Sequence, residues 1–216
     1  MRKAGKGFIV LVAVACWTLP AGADYYATKA DEKAGRLTSG KAPAAQGLSA
    51  LLAGGDACPG TTIAAGSTTY ADSGTTIGAN NTVTSIQSGC SNYMTNAGPD
   101  VVYTFDLGPL GARTASLAIT VTPSGGYDAS IYTLSTAGAG CPAGTANAAT
   151  NCVNGSDAAG ANGVETITDA KTDAMAAGTY FLFVDSFYST GTLSAGAYSL
   201  TMNRPLPVEL LNFEIK

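Results

Sequence analysis

The clearest pattern in the chain is an alternation of apolar and polar residues in the segment "DVVYTFDL", which runs from Asp100 to Leu107. One face of this segment is entirely apolar and consists of Val101, Tyr103, Phe105 and Leu107. The other face is mostly polar and consists of Val102, Thr104 and Asp106. Successive side chains of a strand lie on opposite faces of a sheet, so this pattern predicts a half-buried β-strand. The segments "ASLAITVT" and "YDASIYTL" predict two further strands, and "GVETI" predicts a weaker one.

The segment "GTYFLFVD", from Gly178 to Asp185, is apolar on both faces and therefore predicts a central strand covered on both sides. The later segment "AGAYSLTM" alternates, and we expect it to return as the hairpin partner of that strand. The Thr-rich segments "TTIAAG" and "TTIGANNTVT" predict edge strands. Together these short strands and turns predict an all-β fold, an antiparallel β-sandwich of the jelly-roll type.

The first 23 residues have the features of a signal peptide, with a basic start, an apolar stretch and small residues before residue 24. A membrane anchor, a lipoprotein cut before Cys16 and a type IV pilin leader remain alternatives. Residues 24–55 then predict a flexible or partly helical N-terminal arm, and residues 56–203 predict the sandwich domain. Residues 204–216 predict a C-terminal extension strand with two apolar faces, formed by Val208 and Leu210 on one side and Leu211, Phe213 and Ile215 on the other.

Charge and composition argue against two classes of function, nucleic-acid binding and catalysis. Only 12% of the residues are charged, the formal net charge is −4, and basic residues are sparse beyond the N-terminal stretch. Such a surface argues against nucleic-acid binding, which needs clustered Lys and Arg, and it tolerates cations such as calcium. The chain contains no histidine, so the commonest general base and zinc ligand are missing, which argues against an enzyme.

Four cysteines remain once Cys16 leaves with the signal peptide. An even number in an exported chain predicts two disulfides, and four cysteines allow three pairings. We expect the sequential pairing, Cys58 with Cys90 and Cys141 with Cys152, because each pair flanks a local polar loop. Metal ligation is a weaker alternative, since the chain has no CxxC pair.

Several of these segments, in this order, resemble bacterial pre-peptidase C-terminal (PPC) domains. The similar segments are "GPDVVYTFDL", "YDASIYTL", "CPAGTANAATNC", "MAAGTYFLFVDSF" and "GAYSLTM", between Cys58 and Met202. The resemblance implies a non-catalytic antiparallel β-sandwich, often attached to secreted peptidases or surface proteins, with calcium or extracellular polymers as ligands of some relatives. The end "PLPVELLNF" resembles the stretch that opens C-terminal sorting modules of bacterial surface proteins.

Two groups of residues are candidate sites. Acids at strand ends and loops could converge at one end of the sandwich and bind calcium through their carboxylates, or they could cap turns; they are Asp100, Asp128, Asp157 and Asp185. The aromatic residues around the central strand could form a sugar-binding platform, although those within the strand fit a core better; they are Tyr180, Phe181, Phe183, Phe187 and Tyr188.

These features favour an exported structural or adhesive protein of the cell surface, located outside the cell. We expect its partners to be copies of itself, joined by β-strand addition through residues 208–215, or an extracellular polysaccharide. The alternative function is a calcium- or polysaccharide-binding accessory module of a secreted system. We expect neither nucleic-acid binding nor a stable membrane span in the mature chain.

Overall fold

The computed structural model describes residues 53–64, 69–93, 95–108, 117–137 and 140–203. The strands in chain order are β1 (Thr61–Thr62), β2 (Thr69–Thr75), β3 (Val83–Ile86), β4 (Val101–Leu107), β5 (Ala118–Pro123), β6 (Ser130–Ser135), β7 (Asn147–Ala149), β8 (Cys152–Ser156), β9 (Glu165–Ile167), β10 (Gly178–Asp185) and β11 (Ala197–Asn203). A short helix, α1, covers Asp169–Asp173. The predicted all-β fold is confirmed.

Three sheets form three layers. The strand order is β1-β4-β10-β6-β8 in a five-stranded sheet, β2-β11-β5-β9 in a four-stranded sheet and β3-β7 in a small third sheet. Pairing is antiparallel except between β1 and β4 and between β3 and β7, which are parallel. The third layer was not predicted from the sequence.

The third layer explains why β10 is apolar on both faces. Tyr180, Leu182 and Val184 belong to the core between the two large sheets. Phe181 and Phe183 point to the other face and pack under β3 and β7 with Tyr132. The prediction that β10 is a central strand buried on both sides is therefore confirmed. We expect Phe183→Ala to lower the free energy of unfolding by about 3–5 kcal/mol.

The predicted hairpin between β10 and β11 is wrong. Both edges of β10 are occupied, by β4 and β6, so β11 crosses to the other large sheet. There it lies between β2 and β5. Its outer face is open, which explains why its buried and exposed residues alternate along the whole strand.

The predicted disulfide pairing is also wrong. Cys58 is bonded to Cys141 and Cys90 to Cys152, with Cα–Cα distances of 5.7 and 5.8 Å. Parallel pairing of β3 with β7 brings segments that are distant in the chain together, so the bridges connect across the fold instead of closing local loops. Two disulfides are typical of a domain that folds in an oxidising compartment.

Candidate functional site

The four predicted acids lie at the same end of the five-stranded sheet. Because β4, β10, β6 and β8 alternate in direction, the starts of β4 and β6 lie beside the ends of β10 and β8. One of the four acids lies at, or within two residues of, each of these strand ends. We call this region the acidic end. All four side chains are buried, with at most 1% exposed; they are Asp100, Asp128, Asp157 and Asp185.

Asp185 is the last residue of β10, as predicted, and its side chain is fully buried. Its Oδ2 accepts a hydrogen bond from the Tyr132 hydroxyl at 2.8 Å, and its Oδ1 accepts one from the Ser186 N–H at 2.6 Å. Burial, and then the negative charges of Asp100 and Asp157, raise the pKa of Asp185 well above its usual range.

Asp100 connects the third layer to the five-stranded sheet. Its Oδ2 accepts hydrogen bonds from the N–H groups of Thr82 and Val83 at 2.6 and 2.9 Å, which fixes the start of β3. Burial raises the pKa of Asp100 to about 6, although these two hydrogen bonds favour its charged form. Both donors lie 17 and 18 residues from Asp100 in the sequence, so these hydrogen bonds join distant segments instead of capping a local turn.

A calcium ion needs six to eight oxygen ligands. The Oδ2 of Asp100 and both carboxylate oxygens of Asp185 already accept hydrogen bonds from protein donors. Within the described ranges, no three acidic or cysteine side chains form a group that could hold a metal ion. The calcium site at Asp100, Asp128, Asp157 and Asp185 stays a prediction.

A fifth buried acid, Glu165, was missed in the sequence. Its Oε2 accepts hydrogen bonds from the Ser156 hydroxyl at 2.6 Å and the Ala158 N–H at 3.1 Å, and its Oε1 accepts one from the Ala159 N–H at 2.6 Å. Burial raises the pKa of Glu165 to about 7. Glu165 thus holds the loop from β8 to β9, which joins the two large sheets. The sequence indicated its burial only by placing one acid in the apolar segment "GVETI".

The predicted aromatic platform is mostly core. Tyr180, Phe181 and Phe183 are buried, whereas Phe187 and Tyr188 are half-buried beyond the end of β10. Phe187 makes edge-to-face contacts with Tyr93 and with Tyr188, at ring-centroid distances of 5.9 and 5.4 Å. These rings join the loop before β4 to the loop after β10.

The four-stranded sheet ends at β2, which has seven residues and pairs only with β11 among the described strands. Asp72 points inward from this edge. Its Oδ2 accepts hydrogen bonds from the hydroxyls of Tyr70 and Tyr103 at 2.9 and 3.3 Å, and its Oδ1 accepts one from the Ser73 N–H at 2.8 Å. Tyr103 is in turn hydrogen-bonded to the Tyr198 hydroxyl at 2.8 Å, so this network connects the edge to both large sheets.

The predicted assembly strand lies outside the described residues, with its apolar positions Val208, Leu210, Leu211, Phe213 and Ile215. It follows Asn203, the last residue of β11, which is paired with Thr69 at the start of β2. In the part of the chain that the structure describes, no helix has the length and apolar character of a membrane span.

No protein-family model matches the chain, and no curated protein matches it. Among solved structures, the chain is similar to the pre-peptidase C-terminal domain of collagenase from Bacillus anthracis, with 15% identity and a TM-score of 0.34 over 66% of this chain and 92% of that one. It is also similar to PliG of Aeromonas hydrophila, a periplasmic inhibitor of g-type lysozyme, with 13% identity and a TM-score of 0.32 over 66% of this chain and 95% of that one.

These similarities are too low to assign a family. A PPC domain does occur among the matching structures, as the sequence segments suggested, but PliG of Salmonella Typhimurium matches at a similar level, with a TM-score of 0.30.

Proposed function

We propose that the chain is a non-catalytic, exported structural or adhesive protein of the cell surface that assembles with copies of itself by β-strand addition. The observation that carries this proposal is that β2 lies at the edge of the four-stranded sheet and pairs with only one of the described strands, β11. A sheet edge presents unpaired N–H and C=O groups, and an extended segment of another chain can pair with them.

The segment that we propose as the donor is residues 208–215 of a second copy. It begins a few residues after Asn203, which is paired with Thr69 of β2, so the chain leaves the described part of the fold beside the acceptor strand. Its two apolar faces need burial on both sides, which pairing between two molecules can provide. Contacts of this kind are head-to-tail, and they generate filaments when the rotation between copies does not close.

Asp72 makes the β2 edge selective. An inward-pointing charge on an edge strand is one way in which natural sheets avoid random pairing. Here its carboxylate already accepts the Ser73 N–H, so an incoming strand must compete for this part of the edge. A donor with apolar residues on both faces gains more from pairing than an arbitrary polar strand does, because more apolar surface is removed from water.

Removal of residues 208–216 tests the proposal. We expect the full chain to form oligomers or filaments on a sizing column and by electron microscopy, and the truncated chain to stay monomeric. Normal assembly of the truncated chain would exclude this segment as the donor.

An edge variant tests the acceptor. Ala71→Lys places a charge on the exposed face of β2 and should block assembly, since lysine on edge strands disfavours pairing. Its matched control is Thr201→Lys, because Thr201 is exposed and lies opposite Ala71 on β11, which is inside the sheet. The control should assemble normally; equal effects of both variants would contradict an acceptor site at β2.

A further inference from the structure

A shallow cavity of about 410 Å³, largely open to solvent, lies beside the third layer and away from the β2 edge. Residues 89–92 form one wall, Val153 and Asn154 of β8 form another, and Lys171 and Ala174 contribute from the region of α1. This volume is within the range of small-molecule sites, which combine apolar surface with a few fixed polar groups.

Lys171 gives the cavity its charge. It is the only Lys or Arg residue among the described residues of a chain with net charge −4. Its ammonium group donates a hydrogen bond to the carbonyl oxygen of Gly155, which holds the charge at the cavity. An ammonium has three N–H donors, so the group can also bind a ligand anion.

Other polar groups around the cavity are held in place. The Asn154 side chain accepts a hydrogen bond from the Thr133 hydroxyl at 2.7 Å, and the Asn92 Oδ1 accepts one from the Asp157 N–H at 3.2 Å. The Ser91 hydroxyl is buried and makes no hydrogen bond within the described part of the chain. Buried polar atoms nearly always have a partner, so this hydroxyl is a candidate contact for a ligand.

The cavity also has apolar surface. Val153 is 41% exposed, which is unusual for a large aliphatic side chain of this domain, and the Cys90–Cys152 disulfide and Ala174 lie beside it. Sugar rings have an apolar C–H face and a polar periphery, so they match a surface of this mixed kind. A carboxylate on the sugar would match Lys171.

We propose that this cavity binds a carboxylate-bearing sugar unit of an extracellular polysaccharide, with Lys171 pairing with the sugar carboxylate and Val153 contacting the ring. This site extends the adhesive part of the proposed function and rests on it. It is separate from strand addition, since the cavity is lined by β8, by the loop after β3 and by the region of α1, and by no residue of β2. Binding and assembly are measured separately, so failure of one is distinguishable from failure of the other.

Calorimetry with the full chain tests the site, with an oligogalacturonate as the charged probe and a neutral glucose oligomer of equal length as the reference. We expect the charged oligomer to bind and the neutral one to bind at least about tenfold more weakly, because a charge-assisted hydrogen bond is lost. Lys171→Gln should weaken binding of the charged oligomer by a similar factor, and Lys171→Arg should retain it. Thr201→Gln, on the exposed face of the opposite sheet, is the control and should bind normally.

Backbone NMR locates the bound sugar. We expect the charged oligomer to shift the amide signals of residues 89–92 and 153–154, and inorganic phosphate to leave them unshifted. The proposal would be overturned if the charged oligomer did not bind, if the neutral oligomer bound equally well, or if Lys171→Gln bound the charged oligomer normally. It would also be overturned if the amide shifts lay elsewhere on the domain or if phosphate caused the same shifts.

Discussion

At the scale of single residues, buried acids organise this domain. Asp100, Asp185 and Glu165 are buried and Asp72 is half-buried, and each accepts hydrogen bonds from protein donors. Asp72, Asp100 and Glu165 connect different sheets or the segments between them, whereas Asp185 connects β10 to β6 within the five-stranded sheet. Such networks stabilise a fold only when their groups remain paired, because a buried donor without a partner is costly.

Asp72 allows a direct test of this view. Asp72→Ala removes the acceptor of hydrogen bonds from Tyr70, Tyr103 and Ser73, so we expect it to lower the free energy of unfolding by about 1–3 kcal/mol in urea denaturation. Asp72→Asn keeps an acceptor oxygen and should lose less. If both variants are as stable as the wild type, the network does not stabilise the edge.

The positions of the four predicted acids could be derived from the sequence, but their surroundings could not. Alternation along the chain places Asp100 and Asp185 at strand ends, and antiparallel strands bring those ends together. Burial depends on the loops and the third layer that cover the acidic end, and those contacts come from distant segments without a periodic pattern. Glu165 was missed for the same reason.

At the scale of elements, the strands themselves were predictable and their partners were less so. The two-faced pattern of β10 correctly indicated a central strand. The hairpin with β11 and the local disulfides were both expected from proximity in the sequence, and both are wrong because this fold pairs distant segments. A single sequence contains no signal for such long-range pairing.

The disulfides provide a prediction at this scale. Their cysteines are 83 and 62 residues apart, so each bridge should stabilise the domain by about 4 kcal/mol in the chain-entropy model, more than local bridges would. Peptide mapping without reduction should recover the Cys58–Cys141 and Cys90–Cys152 peptides. Replacing Cys90 and Cys152 together with Ser should lower the unfolding free energy; recovery of Cys58–Cys90 peptides would contradict the structure.

At the scale of the whole molecule, burial of carboxyl groups predicts how stability depends on pH. The pKa of Asp100 is raised to about 6 and that of Glu165 to about 7, so the folded state binds protons more tightly than the unfolded state. This stabilisation is fully present below about pH 4, where the unfolded carboxyls are also protonated, and it is lost as pH rises through about 6 and 7.

We therefore expect the domain to be less stable at about pH 8 than at about pH 5, by on the order of 1–3 kcal/mol for each group, in denaturant unfolding. Glu165→Gln should flatten this dependence, whereas Asp106→Asn, which removes an exposed carboxylate from β4, serves as the charge control. Greater stability at the higher pH would contradict the picture of carboxyls buried without compensating charge. Calcium added at the higher pH would restore stability if the predicted calcium site at the acidic end exists.

Self-assembly is the central claim at this scale, and a mixing experiment tests it most directly. The chain lacking residues 208–216 keeps the β2 edge, and the Ala71→Lys chain keeps the donor segment. If donor and edge pair between molecules, each variant alone should be monomeric on a sizing column, and their mixture should form a dimer that does not grow further. A mixture that stays monomeric, or a truncated chain that forms filaments alone, would contradict assembly by strand addition at β2.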